Sequence, residues 1–250
     1  MVSLQHPKNQ SSHGRALLLE LRDCAHAKID FVLDCLNKDP LSGRLKCTET
    51  GNNAYHWLLS GTYHKDFILK VLSKLLEVCP EGVRAINNHG SLPLHLCFAR
   101  NQLHREVIDI ILQAYPAGAG LADSQGLIPL FLCCMREDSH ADYCKALCKA
   151  FPNGPSTKNK TNSYPLHFAA KRLSPNLEIL GILIRRFPAA ASAVNDFGLL
   201  PLHCICALSN NLKAVELIHN ADPDAVKVNT TYFVCLCMFV FTYVQYVPVY

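Results

Sequence analysis

From residue 16 to residue 229 the apolar positions recur in a helical rhythm, broken at regular intervals by short polar turns. The stretches GSLPLHLCFAR (90–100), GLIPLFLCCMR (126–136), NSYPLHFAAKR (162–172) and GLLPLHCICAL (198–208) align, and their first residues stand 36 apart. A fixed period of about 20 to 50 residues points to a stack of like units. Three residues before each of these positions stands Asn87, Asp123, Asn159 or Asn195, side chains that bond nearby backbone and favour tight turns. Pro93, Pro129, Pro165 and Pro201 then fit a first helical position, where the missing N–H has no partner to lose. A second helix follows in each unit. Its stripe begins at Val107, Tyr143, Ile179 or Val215, continues at Ile110, Ala146, Ile182 or Ile218, and adds Ile111, Leu147 or Leu183, the i, i+3, i+4 spacing of an amphipathic helix. Tyr115-Pro116, Phe151-Pro152 and Phe187-Pro188 end it, with Cys79-Pro80 and Asp222-Pro223 as looser versions, because proline disfavours a helical residue before it. The aromatic residue of each pair is expected to pack on the neighbouring unit.

These residues resemble the ankyrin-repeat family, whose unit is a turn and two helices with a T-P-L-H-x-A signature and a period of about 33 residues. The resemblance covers residues 48–229, as units near 48–86, 87–122, 123–158, 159–194 and 195–229. Residues 16–47 read as a helical capping unit, 1–15 as a disordered N-terminus and 230–250 as an atypical hydrophobic tail. The expected fold is an all-α helix-turn-helix solenoid with short turn or hairpin connections. Two features depart from the family. Leu92, Ile128, Tyr164 or Leu200 replaces the usual threonine, which removes a hydroxyl N-cap at a cost of about 1 kcal/mol per helix. The first unit is degenerate, with His56 following Asn-Asn-Ala-Tyr.

The resemblance implies a protein-interaction scaffold whose contacts lie on the turns and the late first helix. The corresponding positions are Asn88, His89 and Ser91; Ser124, Gln125 and Leu127; Lys160, Thr161 and Ser163; Asp196, Phe197 and Leu199; then Arg100, Arg136, Lys171 and Arg172. Arg100, Arg136 and Arg172 are 36 residues apart and should form a solvent-facing ladder, with Lys158 and Lys160 nearby. Guanidinium groups pair well with carboxylate or phosphate, though a cation near a helix C-terminus is also favourable by itself.

Composition narrows the classes. Half of the 250 residues are hydrophobic and the formal net charge is +4, enough apolar surface for a large core and too little charge for a phosphate-backbone binder. Nucleic acid is not implied. The thirteen cysteines match neither a zinc ribbon nor a CxxC motif and read as small buried apolar residues. The polar first fifteen residues contain no apolar run of signal-peptide length, so a cytoplasmic, reduced setting and a monomer are expected. His56, His95, His167 and His203 recur too far apart to share one metal and read as buried residues bonding the next turn; the His203-Cys204-Ile205-Cys206 run does not converge on a helix. AGAG (117–120) lacks a dinucleotide fingerprint, and no P-loop, HExxH or GxSxG occurs. No cofactor, metal or catalytic residue is expected. The sequence reading is a non-catalytic scaffold that binds an extended, acidic protein segment on its concave face. Its alternative is an adaptor held at a membrane by the uncharged tail TTYFVCLCMFVFTYVQYVPVY (230–250), which also reads as a packed segment or as a chain end that replaces further repeats.

Overall fold

The computed structural model describes residues 12–23, 27–98 and 104–224. Among them are twelve α-helices and no strand: α1 (Ser12–Arg22), α2 (Ile29–Lys38), α3 (Ala54–Ser60), α4 (Lys65–Val78), α5 (Pro93–Cys97), α6 (Arg105–Ala114), α7 (Pro129–Met135), α8 (Ala141–Ala150), α9 (Pro165–Ala170), α10 (Leu177–Arg186), α11 (Pro201–Leu208) and α12 (Leu212–Ala221). The all-α class holds for the described residues. Helices α5, α7, α9 and α11 each start on the proline of the repeated motif, where its fixed φ is already helical. Helix α1 starts at Ser12, inside the stretch 1–15. The tail 230–250 lies outside the described residues.

By its contacts the chain divides into two compact units, residues 1–124 and 125–250. In the first, α1 packs on α3 and α3 on α5, while α2 packs on α4 and α4 on α6. In the second, α7 packs on α9 and α9 on α11, while α8 packs on α10 and α10 on α12. Every helix therefore meets its own counterpart from the adjacent pair, so an apolar stripe of constant register is buried along each row. Helix α6 buries Val107, Ile108, Ile111 and Leu112, and α8 buries Tyr143, Cys144, Leu147 and Cys148. Each large apolar side chain contributes about 1.5–3 kcal/mol when fully buried. In α6 and α8 the stripe is rotated from the one read in the sequence, Ile110 and Ala146 being half-buried and their places taken by Ile108 and Cys144, whereas in α10 and α12 Ile182 and Ile218 are buried as expected. Helix α10, sandwiched between α8 and α12, buries the broader run Ile179, Leu180, Gly181, Ile182 and Leu183.

The aromatic-proline pairs end α6, α8 and α10, and a 3-10 turn follows at Pro116–Gly120, Gly154–Ser156 and Pro188–Ala190. Tyr115 stacks under the Arg84 guanidinium of the preceding repeat at 5.4 Å, as expected of a residue that joins units. Phe187 instead tilts against Tyr164 of its own repeat, centroids 5.3 Å apart.

Candidate functional site

The turns before α5, α9 and α11 are built alike. Asn87 Oδ1 accepts from the N–H groups of His89 and Ser91, both at 2.9 Å; Asn159 and Asn195 repeat the arrangement at 2.9–3.0 Å. The chain then turns through positive φ at Gly90 (70°), Gly126 (77°) and Gly198 (72°), and at Asn162 (54°), asparagine being among the few side-chain-bearing residues that visit this region routinely. Successive turns bond to one another through backbone: Asn88 N–H to Thr50 O at 2.9 Å and Ser124 N–H to His89 O at 2.9 Å in the first unit, Lys160 N–H to Gln125 O at 3.3 Å and Asp196 N–H to Thr161 O at 3.1 Å in the second. A ladder of turns thus fixes where the tip side chains emerge.

Each motif histidine lies three residues after the N-cap residue and bonds back to that residue's backbone N–H, the reciprocal half of a capping box. The Nδ1 atoms of His56, His95, His167 and His203 accept from the backbone N–H of Asn53, Leu92, Tyr164 and Leu200 at 3.1–3.2 Å. On the other side of the ring, Nε2 of His56 meets Ser91 O at 3.0 Å, and Nε2 of His167 meets Leu199 O at 3.1 Å and Ala193 O at 3.0 Å. At His167, acceptor on one nitrogen and donor on the other is the neutral imidazole, whereas His56 Nδ1 also lies 2.6 Å from Asn53 Oδ1, an acceptor for a proton on that nitrogen. Burial pushes His56 down to about 4 and lowers His167 and His203. Phe131 fills the same slot without hydrogen bonds, fully buried and edge-on to Phe168 at 5.2 Å.

The positions expected to meet a partner divide. Asn88, His89, Ser124, Gln125, Lys160, Lys171, Asp196 and Phe197 are exposed, and Thr161 is half-buried. Asn88 also holds the preceding turn, its Nδ2 donating to Glu49 O at 2.9 Å. Ser91, buried at 8% exposure, is corrected to a structural residue because the turn closes over it, whereas Ser163, at 3% exposure, still lines the cavity between the turns and helices. The solvent-facing arginine ladder is also corrected. Arg100 lies outside the described residues; the Arg136 side chain is 11% exposed and paired with Asp138, and Arg172 is 2% exposed beside Glu137. Lys158 is drawn over the Tyr164 ring at 5.2 Å.

Within residues 125–250 the turn tips and the first helices enclose an open cavity of about 320 Å³. Leu127, Phe168, Leu199 and the 70%-exposed Phe197 give it an apolar wall. Lys160 and Lys171 also line it, and neither has an acidic partner among the described residues. Cys204 lines the cavity too, its thiol pushed up to about 11 by burial against the opposing pull of Lys171, so it is protonated at neutral pH. Phe168 and Cys204 were not among the expected site residues. They occupy one slot, directly after the motif histidine and 36 residues apart; that periodicity was legible, but not that the slot faces the cavity. The ten cysteines among the described residues are free and buried, and no group of three metal-binding side chains occurs among those residues. No described helix is long and apolar enough to cross a membrane.

No family model and no curated protein matches the chain. Its fold is similar to that in a solved structure of a predatory endopeptidase from Bdellovibrio bacteriovorus in complex with an immunity protein, with a TM-score of 0.62 and 16% identity, over 85% of this chain and 99% of the matched one. This finding overturns the expectation of a scaffold with no chemistry of its own. The fold is found in an assembly that includes an endopeptidase, so the missing enzyme motifs do not decide the class, and both the non-catalytic reading with its extended acidic ligand and the membrane-adaptor alternative are withdrawn. At 16% identity the likeness carries the fold and not the activity.

Proposed function

We propose that this chain recognises polypeptide and that a segment of it binds in the cavity of residues 125–250. The observation that carries this reading is the pairing of an apolar wall and an exposed phenyl ring with two lysines that have no acidic partner among the described residues, around about 320 Å³ of open space. Sites that take organic groups are concave, mostly apolar and edged by a few polar groups, and large apolar side chains left in solvent mark interaction surfaces when they border such a hollow. Polypeptide recognition is also what an endopeptidase and an immunity protein have in common, the one toward its substrate and the other toward an enzyme. The likeness in fold supports the reading at that level.

Fluorescently labelled unfolded casein provides the test, with anisotropy for binding and release of acid-soluble label for hydrolysis. The Phe197→Asp variant should bind at least about tenfold more weakly than the wild type, a loss near 1.4 kcal/mol, while melting at the same temperature because the ring is exposed. Equal binding by the two proteins would remove the cavity from the reading. Label release by the wild type alone would assign the chain to the peptidase side, and binding without release to the immunity side.

We also propose that the helix pairs form an ankyrin-type solenoid of variant 36-residue units. Support comes from the motif prolines at equivalent helix starts, the histidine-to-turn bonds and, within each of the two units, the packing of each helix on the one two places along. A one-dimensional stack of this kind gains its stability from interfaces between neighbours.

A further inference from the structure

A guanidinium keeps its charge at every pH a protein meets, and burial is costly unless that charge and its donors are answered. Arg136 and Arg172 occupy equivalent positions just after α7 and α9. Arg136 is answered locally: Asp138, two residues on, accepts from Nε at 2.8 Å and from Nη2 at 2.6 Å, a side-on bidentate pair. Arg172 is the more deeply buried of the two, and the residue two places on is Ser174. Its acidic neighbour is Glu137, whose Oε2 lies 3.4 Å from Nη2 and whose side chain is 53% exposed, so the pairing is long and weakened by solvent. Nε and Nη1 have no hydrogen-bond partner among the described residues.

Among the described residues no other carboxylate forms an ion pair with Arg172. Burial pushes the Cys133 thiol up to about 12 and raises Cys134, even though Arg172 acts against the rise in both; both are neutral thiols. Ser139, 3% exposed, has its hydroxyl 3.0 Å from Cys133 Sγ and adds another polar group to the cluster. A fully buried, permanently charged side chain with an unanswered Nε edge, in a repeat whose predecessor supplies a carboxylate at that edge, has the character of an anion-binding group.

We infer that Arg172 centres a site for a small monovalent anion of chloride's size and charge, in the position that the Asp138 carboxylate takes at Arg136. A compact ion suits the 2% exposure of the side chain better than phosphate or a peptide carboxylate, which would bring more charge or more atoms into the same place.

The test follows the melting temperature of the full chain while sodium gluconate is replaced stepwise by sodium chloride at constant ionic strength. The wild-type value should rise by about 2 to 4 °C and then level off as the site fills. Ser174→Asp supplies the carboxylate within the loop and should remove the chloride response. Glu137→Gln removes the competing acid and should steepen it, and Arg172→Met should abolish it. If the methionine variant does not fold, the Ser174→Asp comparison still decides. A flat wild-type curve, or a Ser174→Asp curve that rises like the wild type's, overturns the site.

Discussion

At the scale of single residues, the motif histidines tie helix start to neighbouring turn only while they are neutral. Protonating His56 would place a charge in a buried site and turn Nδ1 from the Asn53 N–H it accepts from toward Asn53 Oδ1, 2.6 Å away. Its folded value of about 4, set mainly by burial, lies below the ordinary 6.5, so between these values the unfolded chain binds more protons than the folded one. The associated stability is therefore present above about pH 6.5 and is lost as the pH falls toward 4. On His56's account the unfolding free energy should be about 2 kcal/mol lower at pH 5 than at pH 7.5, with His167 and His203 acting in the same direction. Urea unfolding at the two pH values reads this, and His56→Asn should shrink the difference by about that amount. An unchanged difference would mean that the ring titrates freely in the folded protein.

The turns and helices form the next scale, and here two glycines with the same backbone separate conformation from packing. Gly90 and Gly198 have φ near +70°, but a Cβ on Gly90 would come within 2.9 Å of Ser124 N, while one on Gly198 would meet nothing within 4 Å. Gly198→Ala should cost about 1 kcal/mol, the left-handed penalty alone. Gly90→Ala should cost clearly more, because the Ser124-to-His89 bond between turns must shift. Equal losses in urea titrations would show that the stacked turns yield easily. Much at this scale was legible: prolines mark helix starts, and aromatic-proline pairs mark helix ends. The rotation of the buried stripe toward Ile108 and Cys144 in α6 and α8 was not, since it depends on the direction from which a neighbouring helix covers each one.

At the scale of the whole molecule, packing of each helix on its counterpart within each of the two units makes the repeat length a physical constraint. Removing one full period, residues 159–194, should leave the helical signal per residue nearly unchanged in far-ultraviolet circular dichroism and preserve a cooperative, lower melt, since α8 and α12 would meet as α8 and α10 do. Removing half a period, residues 159–176, should abolish the cooperative melt in the second unit, because a first helix would be missing from its row. Similar melts for both deletions would speak against a stack of like units.

The residues themselves determined the all-helical class, the period of 36 and the turn, proline and histidine positions, because each is set by local chemistry: a φ value, a missing N–H, a short side chain that bonds its own backbone. They also exposed the repeated arginines, but not their fate. That Arg136 meets Asp138 while Arg172 is buried beside Glu137 depends on which acid stands within reach in three dimensions, and no spacing rule encodes burial. The cavity likewise arises only when Phe168 and Leu199, distant along the chain, come to face one opening. Local order follows from each residue's own preferences, whereas the charge balance and the site follow from neighbours brought together by folding.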